Sequence, residues 1–137
     1  MHFENRTKLR LPLVSSSVEA GFPSPADDHM ERAIDLNEEL IRNPIATFFI
    51  RVKGESMRDA GINDGDILIV DKSIDPQDRQ IVIAQINGEF TVKRLRSVGG
   101  RVYLEPSNPD FPVIDVTDEG DYPTVWGVVT FIIHKAR

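Results

Sequence analysis

The hydrophobic and polar positions divide the chain into two stretches of different character. From residue 47 onward, apolar residues come in short blocks rich in β-branched and aromatic side chains, which favour strands. The blocks cover residues 47–53, 67–70, 81–86, 89–96, 101–105, 113–116 and 124–133. Asn87-Gly88 joins the third to the fourth as a hairpin, because both residues tolerate the positive φ of a type I′ turn. Asn63-Asp64-Gly65-Asp66 and Gly99-Gly100 mark further turns, and Pro106 to Pro112 is a loop. No helical window separates the blocks. The pattern therefore predicts a mainly β fold, an antiparallel barrel or sandwich.

Residues 1–46 have weaker periodicity. Pro12, Pro23 and Pro25 interrupt regular structure and Ser15-Ser16-Ser17 is a flexible tripeptide, so a flexible N-terminal arm is expected. One helix is predicted over residues 26–42. Asp27 or Asp28 would cap it, Glu31 sits in its first turn, and Ile34, Leu36, Leu40 and Ile41 are its apolar positions. Pro44 lies just beyond its end. The expected organisation is an arm with a short helix over 1–46 and a β-domain over 47–137.

Composition narrows the chemistry. The 137 residues carry 16 Lys and Arg against 22 Asp and Glu, a formal charge of −6. That balance disfavours a surface built to coat phosphates, whose affinity comes from basic side chains. There is no Cys, which excludes disulfides, thiolate catalysis and Cys-based metal sites. His2, His29 and His134 are far apart in the chain, so neither a metal nor another cofactor is expected. No apolar run approaches about 18 residues. No apolar signal core follows Arg6, Lys8 and Arg10 either, so the expectation is a soluble cytoplasmic protein without membrane attachment.

Without Cys, a nucleophile must be Ser, Thr, Lys, Asp or Glu. Gly54-Glu55-Ser56-Met57 lies where a strand breaks into a turn, which lifts the Ser56 hydroxyl out of the ladder and leaves backbone N–H groups near it. Arg58 excludes the G-x-S-x-G elbow and Asp59 excludes S-x-x-K. A tight structural turn is the other reading of the same residues. Lys93 is the candidate base, since a desolvated lysine can be neutral near pH 7. Strand alternation places Thr91, Lys93 and Leu95 on one face, with Thr91 able to hydrogen-bond the amine. A solvated lysine in a Lys93-Arg94-Arg96 cluster is the alternative. Asp64-Gly65-Asp66 lacks the further acids of a calcium loop and reads as a turn. Asp110, Asp115, Asp118, Glu119 and Asp121 read as a solvated edge, and Trp126 as core.

Gly54-Glu55-Ser56-Met57, Gly61-Ile62-Asn63-Asp64-Gly65-Asp66 and Phe90-Thr91-Val92-Lys93-Arg94-Leu95 together resemble the LexA/UmuD (S24-type) Ser-Lys self-cleaving peptidases. The separation of 37 residues between Ser56 and Lys93 is typical of that family. Gly21-Phe22-Pro23-Ser24-Pro25 and Ile34-Asp35-Leu36-Asn37 resemble the segment after the cleavage site, and Gly127-Val128-Val129-Thr130 the last strand. The resemblance implies a LexA C-terminal-like β-domain with Ser56 as nucleophile, Lys93 as base and Thr91 orienting the lysine. It implies an oxyanion hole from the backbone N–H groups of Glu55 and Ser56, and a scissile bond between Ala20 and Gly21, with Val18 and Phe22 in flanking apolar subsites. A LexA-type repressor also needs a helix-turn-helix, and residues 1–46 offer one helix at most, so no direct sequence-specific DNA binding is expected. A Ser-Lys signal peptidase would need a membrane anchor. The implied function is an SOS-response protein for DNA-damage tolerance. A RecA filament on single-stranded DNA would stimulate its self-cleavage. The processed homodimer would serve a Y-family, UmuC-like polymerase subunit in translesion synthesis. A non-catalytic dimeric binding module and a peptidase acting on other chains are the two alternatives.

Overall fold

A computed structural model describes residues 9–14, 30–119 and 125–136. The chain forms two compact units, Met1–Arg42 and Asn43–Arg137. In the first, β1 (Arg10–Val14) pairs antiparallel with β2 (Met30–Asp35), with Leu11 opposite Ile34. Helix α1 (Leu36–Leu40) follows at once. Its cap is Asp35, whose buried carboxylate accepts the Asn37 N–H at 3.0 Å. This corrects the helix predicted over 26–42. Residues 26–29 lie outside the described part, Met30–Asp35 is strand, and only five residues are helical. Pairing with β1 hydrogen-bonds one edge of β2 and holds it extended, and Asp35, not Asp27 or Asp28, supplies the cap that starts the helix.

The second unit is one open antiparallel sheet. Its strands are β3 (Thr47–Arg51), β4 (Ile67–Asp71), β5 (Ile81–Ile86), β6 (Glu89–Val98), β7 (Arg101–Glu105), β8 (Ile114–Asp115) and β9 (Val125–Ile133). Their order is β3-β4-β9-β5-β6-β7-β8, so the last strand lies between β4 and β5, and the described residues form no closed barrel. The fold is mainly β, as the alternation predicts. The β5–β6 turn is the expected hairpin: Asn87 and Gly88 have φ of 51° and 81°.

Apolar side chains are buried on both faces of the central strands. One cluster gathers Val52, Met57, Ile62, Leu68, Val70 and Ile83. The other gathers Val82, Ala84, Leu95, Leu104, Val116 and Val128. Neighbours Val82, Ile83 and Ala84 thus enter opposite cores, which is why β5 reads as a continuous apolar run. Trp126 is half-buried at the margin of the first cluster, its ring 5.1 Å from Phe48 and 5.5 Å from Phe90, with Lys72 Nζ 4.7 Å from its centroid. Among the described residues no helix is long and apolar enough to cross a membrane.

Candidate active site

Ser56 owes its position to the break after β3. Gly54, at φ 97°, adopts a backbone conformation that side chains oppose, and its N–H donates to the Asp64 carboxylate at 2.7 Å. The next turn closes through the Arg58 N–H to the Glu55 carbonyl, at 3.1 Å. Met57 and Ile62, at 1% and 0% exposure, sink into the first core and hold the turn down while Glu55 faces solvent. The Asp64–Asp66 turn supports the site through its carboxylates. The Asp66 carboxylate accepts the Asn63 N–H at 2.8 Å and meets His134 Nδ1 at 2.5 Å.

The loop after β7 clasps the serine turn from the other side. Ser107 N–H donates to the Ser56 carbonyl at 2.8 Å, and Asp59 N–H donates to the Ser107 carbonyl at 2.7 Å. The buried Asn108 donates through Nδ2 to the Glu55 carbonyl at 2.8 Å. Sequence reasoning treats this segment only as a loop. Asn108-Pro109 marks a turn, but nothing local shows that it reaches back 53 residues.

Lys93 lies mid-way along β6. The register sets it opposite Val82 and sets Thr91 opposite Ala84, both fully buried partners. Lys93 itself is 7% exposed. Its Nζ lies 2.7 Å from Thr91 Oγ1, 3.1 Å from the Val92 carbonyl and 3.0 Å from Ser56 Oγ. No carboxylate pairs with it among the described residues. Burial therefore pushes its pKa below the ordinary lysine value. Its three polar neighbours are the Val92 carbonyl, which can only accept, and the Thr91 and Ser56 hydroxyls, which can accept or donate. A neutral amine has two N–H groups and one lone pair, so deprotonation would leave a lone pair for one of the two hydroxyls. The alternative of a solvated lysine does not describe this side chain.

The N–H groups of Glu55 and Ser56 donate to no acceptor among the described residues. A cavity of about 200 Å³ opens beside Ser56, walled by Ile50, Val52, Leu68, Ile83, Phe90 and Val92. His134 is committed to Asp66, while His2 and His29 lie outside the described residues. So do Ala20 and Gly21, with Val18 and Phe22 beside them. Thus the fold gathers Ser56, Lys93, Thr91 and the turn backbone, drawn from β6 and from a turn 37 residues earlier.

A serine hydroxyl against a desolvated lysine amine, mounted on an open antiparallel sheet, has the construction of a serine hydrolase that works without histidine. The chain belongs to the peptidase S24-like family, whose model matches residues 12–130, and it is a UmuD-like member of it. It is 46% identical to Protein SamA of Salmonella typhimurium over 92% of this chain and 86% of the relative. It is 47% identical to Protein ImpA of Escherichia coli, over 92% and 85% of the two chains. A LexA repressor from Acidithiobacillus ferrooxidans is 46% identical across 90% of this chain, which spans 60% of that repressor.

Proposed function

We propose that the chain is an SOS-response serine peptidase that cleaves itself between Ala20 and Gly21. The observation that carries this reading is the 3.0 Å approach of a buried, carboxylate-free Lys93 amine to Ser56 Oγ. Ser56 Oγ attacks the Ala20 carbonyl carbon while its proton passes to Lys93 Nζ. The N–H groups of Glu55 and Ser56 stabilise the oxyanion. Collapse breaks the C–N bond, and Lys93 returns the proton to the departing Gly21 nitrogen. Water, deprotonated by Lys93, then hydrolyses the acyl-serine. Thr91 keeps the amine aimed at Ser56.

Kinship with the S24-like peptidases and the motifs around Ser56 and Lys93 support the wider reading. A RecA filament on single-stranded DNA stimulates the reaction by favouring the conformer in which the arm occupies the cleft. The processed chain acts as a homodimer and as accessory to a Y-family polymerase in translesion synthesis. Intact-mass spectrometry tests the reading, after incubation with RecA, an ATP analogue and single-stranded DNA, or at alkaline pH alone. Loss of the mass of residues 1–20, absent in Ser56→Ala, is the expected result. An unchanged mass in both conditions overturns self-cleavage and leaves a β-domain that works by binding.

A further inference from the structure

The loop after β7 holds a buried polar side chain for which the Ser56–Lys93 chemistry has no use. Asn108 is 5% exposed, and both ends of its amide are engaged by backbone. Its Oδ1 accepts the Asp110 N–H at 3.0 Å, and its Nδ2 donates to the Glu55 carbonyl at 2.8 Å. Because one neighbour is an N–H and the other a carbonyl, the orientation of the amide is dictated. A trans peptide points its C=O and its N–H in opposite directions. Holding the Glu55 carbonyl towards Asn108 therefore turns the Ser56 N–H the other way, away from the loop. The Ser56 carbonyl is likewise held by Ser107 N–H, so both peptides flanking Ser56 are pinned by one loop. The Arg58 N–H shares the Glu55 carbonyl at 3.1 Å, but it belongs to the same turn and moves with it. Asn108 ties that carbonyl to a separate part of the sheet.

We propose that Asn108 is a positioning residue that aims the Ser56 N–H at the oxyanion of the tetrahedral intermediate. This role rests on the self-cleavage reading above. Asn108 makes no hydrogen bond to Lys93, so its contribution is separable from the basicity of the amine. Asn108→Asp keeps an acceptor for the Asp110 N–H but loses the donor to Glu55, and Asn108→Ala loses both.

The experiment follows self-cleavage of the full chain by intact mass from about pH 7 to about pH 11, with thermal unfolding of each variant in parallel. The expected result is a plateau rate about 10- to 100-fold below wild type in both variants, comparable to misplacing an oxyanion donor. The pH of half-maximal rate should stay at the wild-type value. Plateau rates within twofold of wild type overturn the proposal. So does a slow rate with a displaced pH midpoint, which would assign Asn108 to the lysine, or a loss that disappears at a temperature where the variants match wild-type stability. Should Asn108→Ala fail to fold, Asn108→Asp decides the question. A wild-type chain that stays intact throughout overturns the self-cleavage reading, and this role with it.

Discussion

At the scale of single residues, the site turns on one lysine held where a charge is unwelcome. Lys93→Ala and Ser56→Ala should each abolish self-cleavage by intact mass while leaving the sheet folded. Lys93→Arg should be equally inactive, because a guanidinium does not deprotonate and cannot take the serine proton. The wild-type rate should rise with pH and reach half its maximum below 10.5, the ordinary lysine value, because burial favours the neutral amine. The same shift couples pH to stability. Between the lowered folded pKa and 10.5 the unfolded chain binds the extra proton, so wild-type stability climbs with pH across that window. Lys93→Met removes the titration. Denaturant unfolding at a series of pH values should show the variant's advantage over wild type shrinking as pH rises.

At the scale of elements, the two least conspicuous glycine-containing segments matter most. The turn at Gly54 presents Ser56, and Gly127 lets β9 lie between β4 and β5. A Cβ at Gly127 would stand 2.6 Å from Val70 Cγ1, a branched and fully buried side chain with no room to retreat. Gly127→Ala should destabilise the domain by about 1–3 kcal/mol in chemical denaturation, and pairing it with Val70→Ala should recover part of the loss. Met57 lies under the serine turn at 1% exposure, so Met57→Ala should cost about 2–5 kcal/mol. The strands from residue 47 onward were legible from alternation and turn residues, whereas β1 and β2 were not. Blocks 81–86 and 101–105 match β5 and β7 to the residue, and the Asn87-Gly88 hairpin is where its chemistry demands. The structure of residues 30–42 was not legible: the helix predicted over 26–42 is a strand followed by a five-residue helix. The apolar spacing of the segment fits a strand followed by a short helix as well, and the choice depends on β1, a partner some 20 residues away.

At the scale of the whole molecule, the unit Asn43–Arg137 contains both apolar clusters and every residue that meets at Ser56. A chain of residues 43–137 should therefore unfold in one cooperative transition in circular dichroism. Two separate transitions, or none, would show that residues 1–42 are needed to complete its core. The proposed homodimer of processed chains predicts sedimentation at twice the mass of residues 21–137, which is less than twice the 15.4 kDa of the full chain.

What the amino-acid order determined by itself is short-range. Alternation named the strands from residue 47 onward, Asn87-Gly88 named the hairpin, the absence of Cys confined the nucleophile, and the spaced motifs named the family, because each depends on neighbouring residues or on residue types alone. What only the tertiary structure decided is which residues meet. Ser56 reaches Lys93 because a turn pinned by Met57 and Ile62 folds against β6, and Lys93 is desolvated because it lies opposite Val82, in the buried centre of β5. Asn108 reaches Glu55 because β7 delivers its loop to the serine turn. Solvation and hydrogen-bond partners of a side chain depend on strand order, and strand order here is non-local: β9 forms last in the chain and lies in the middle of the sheet.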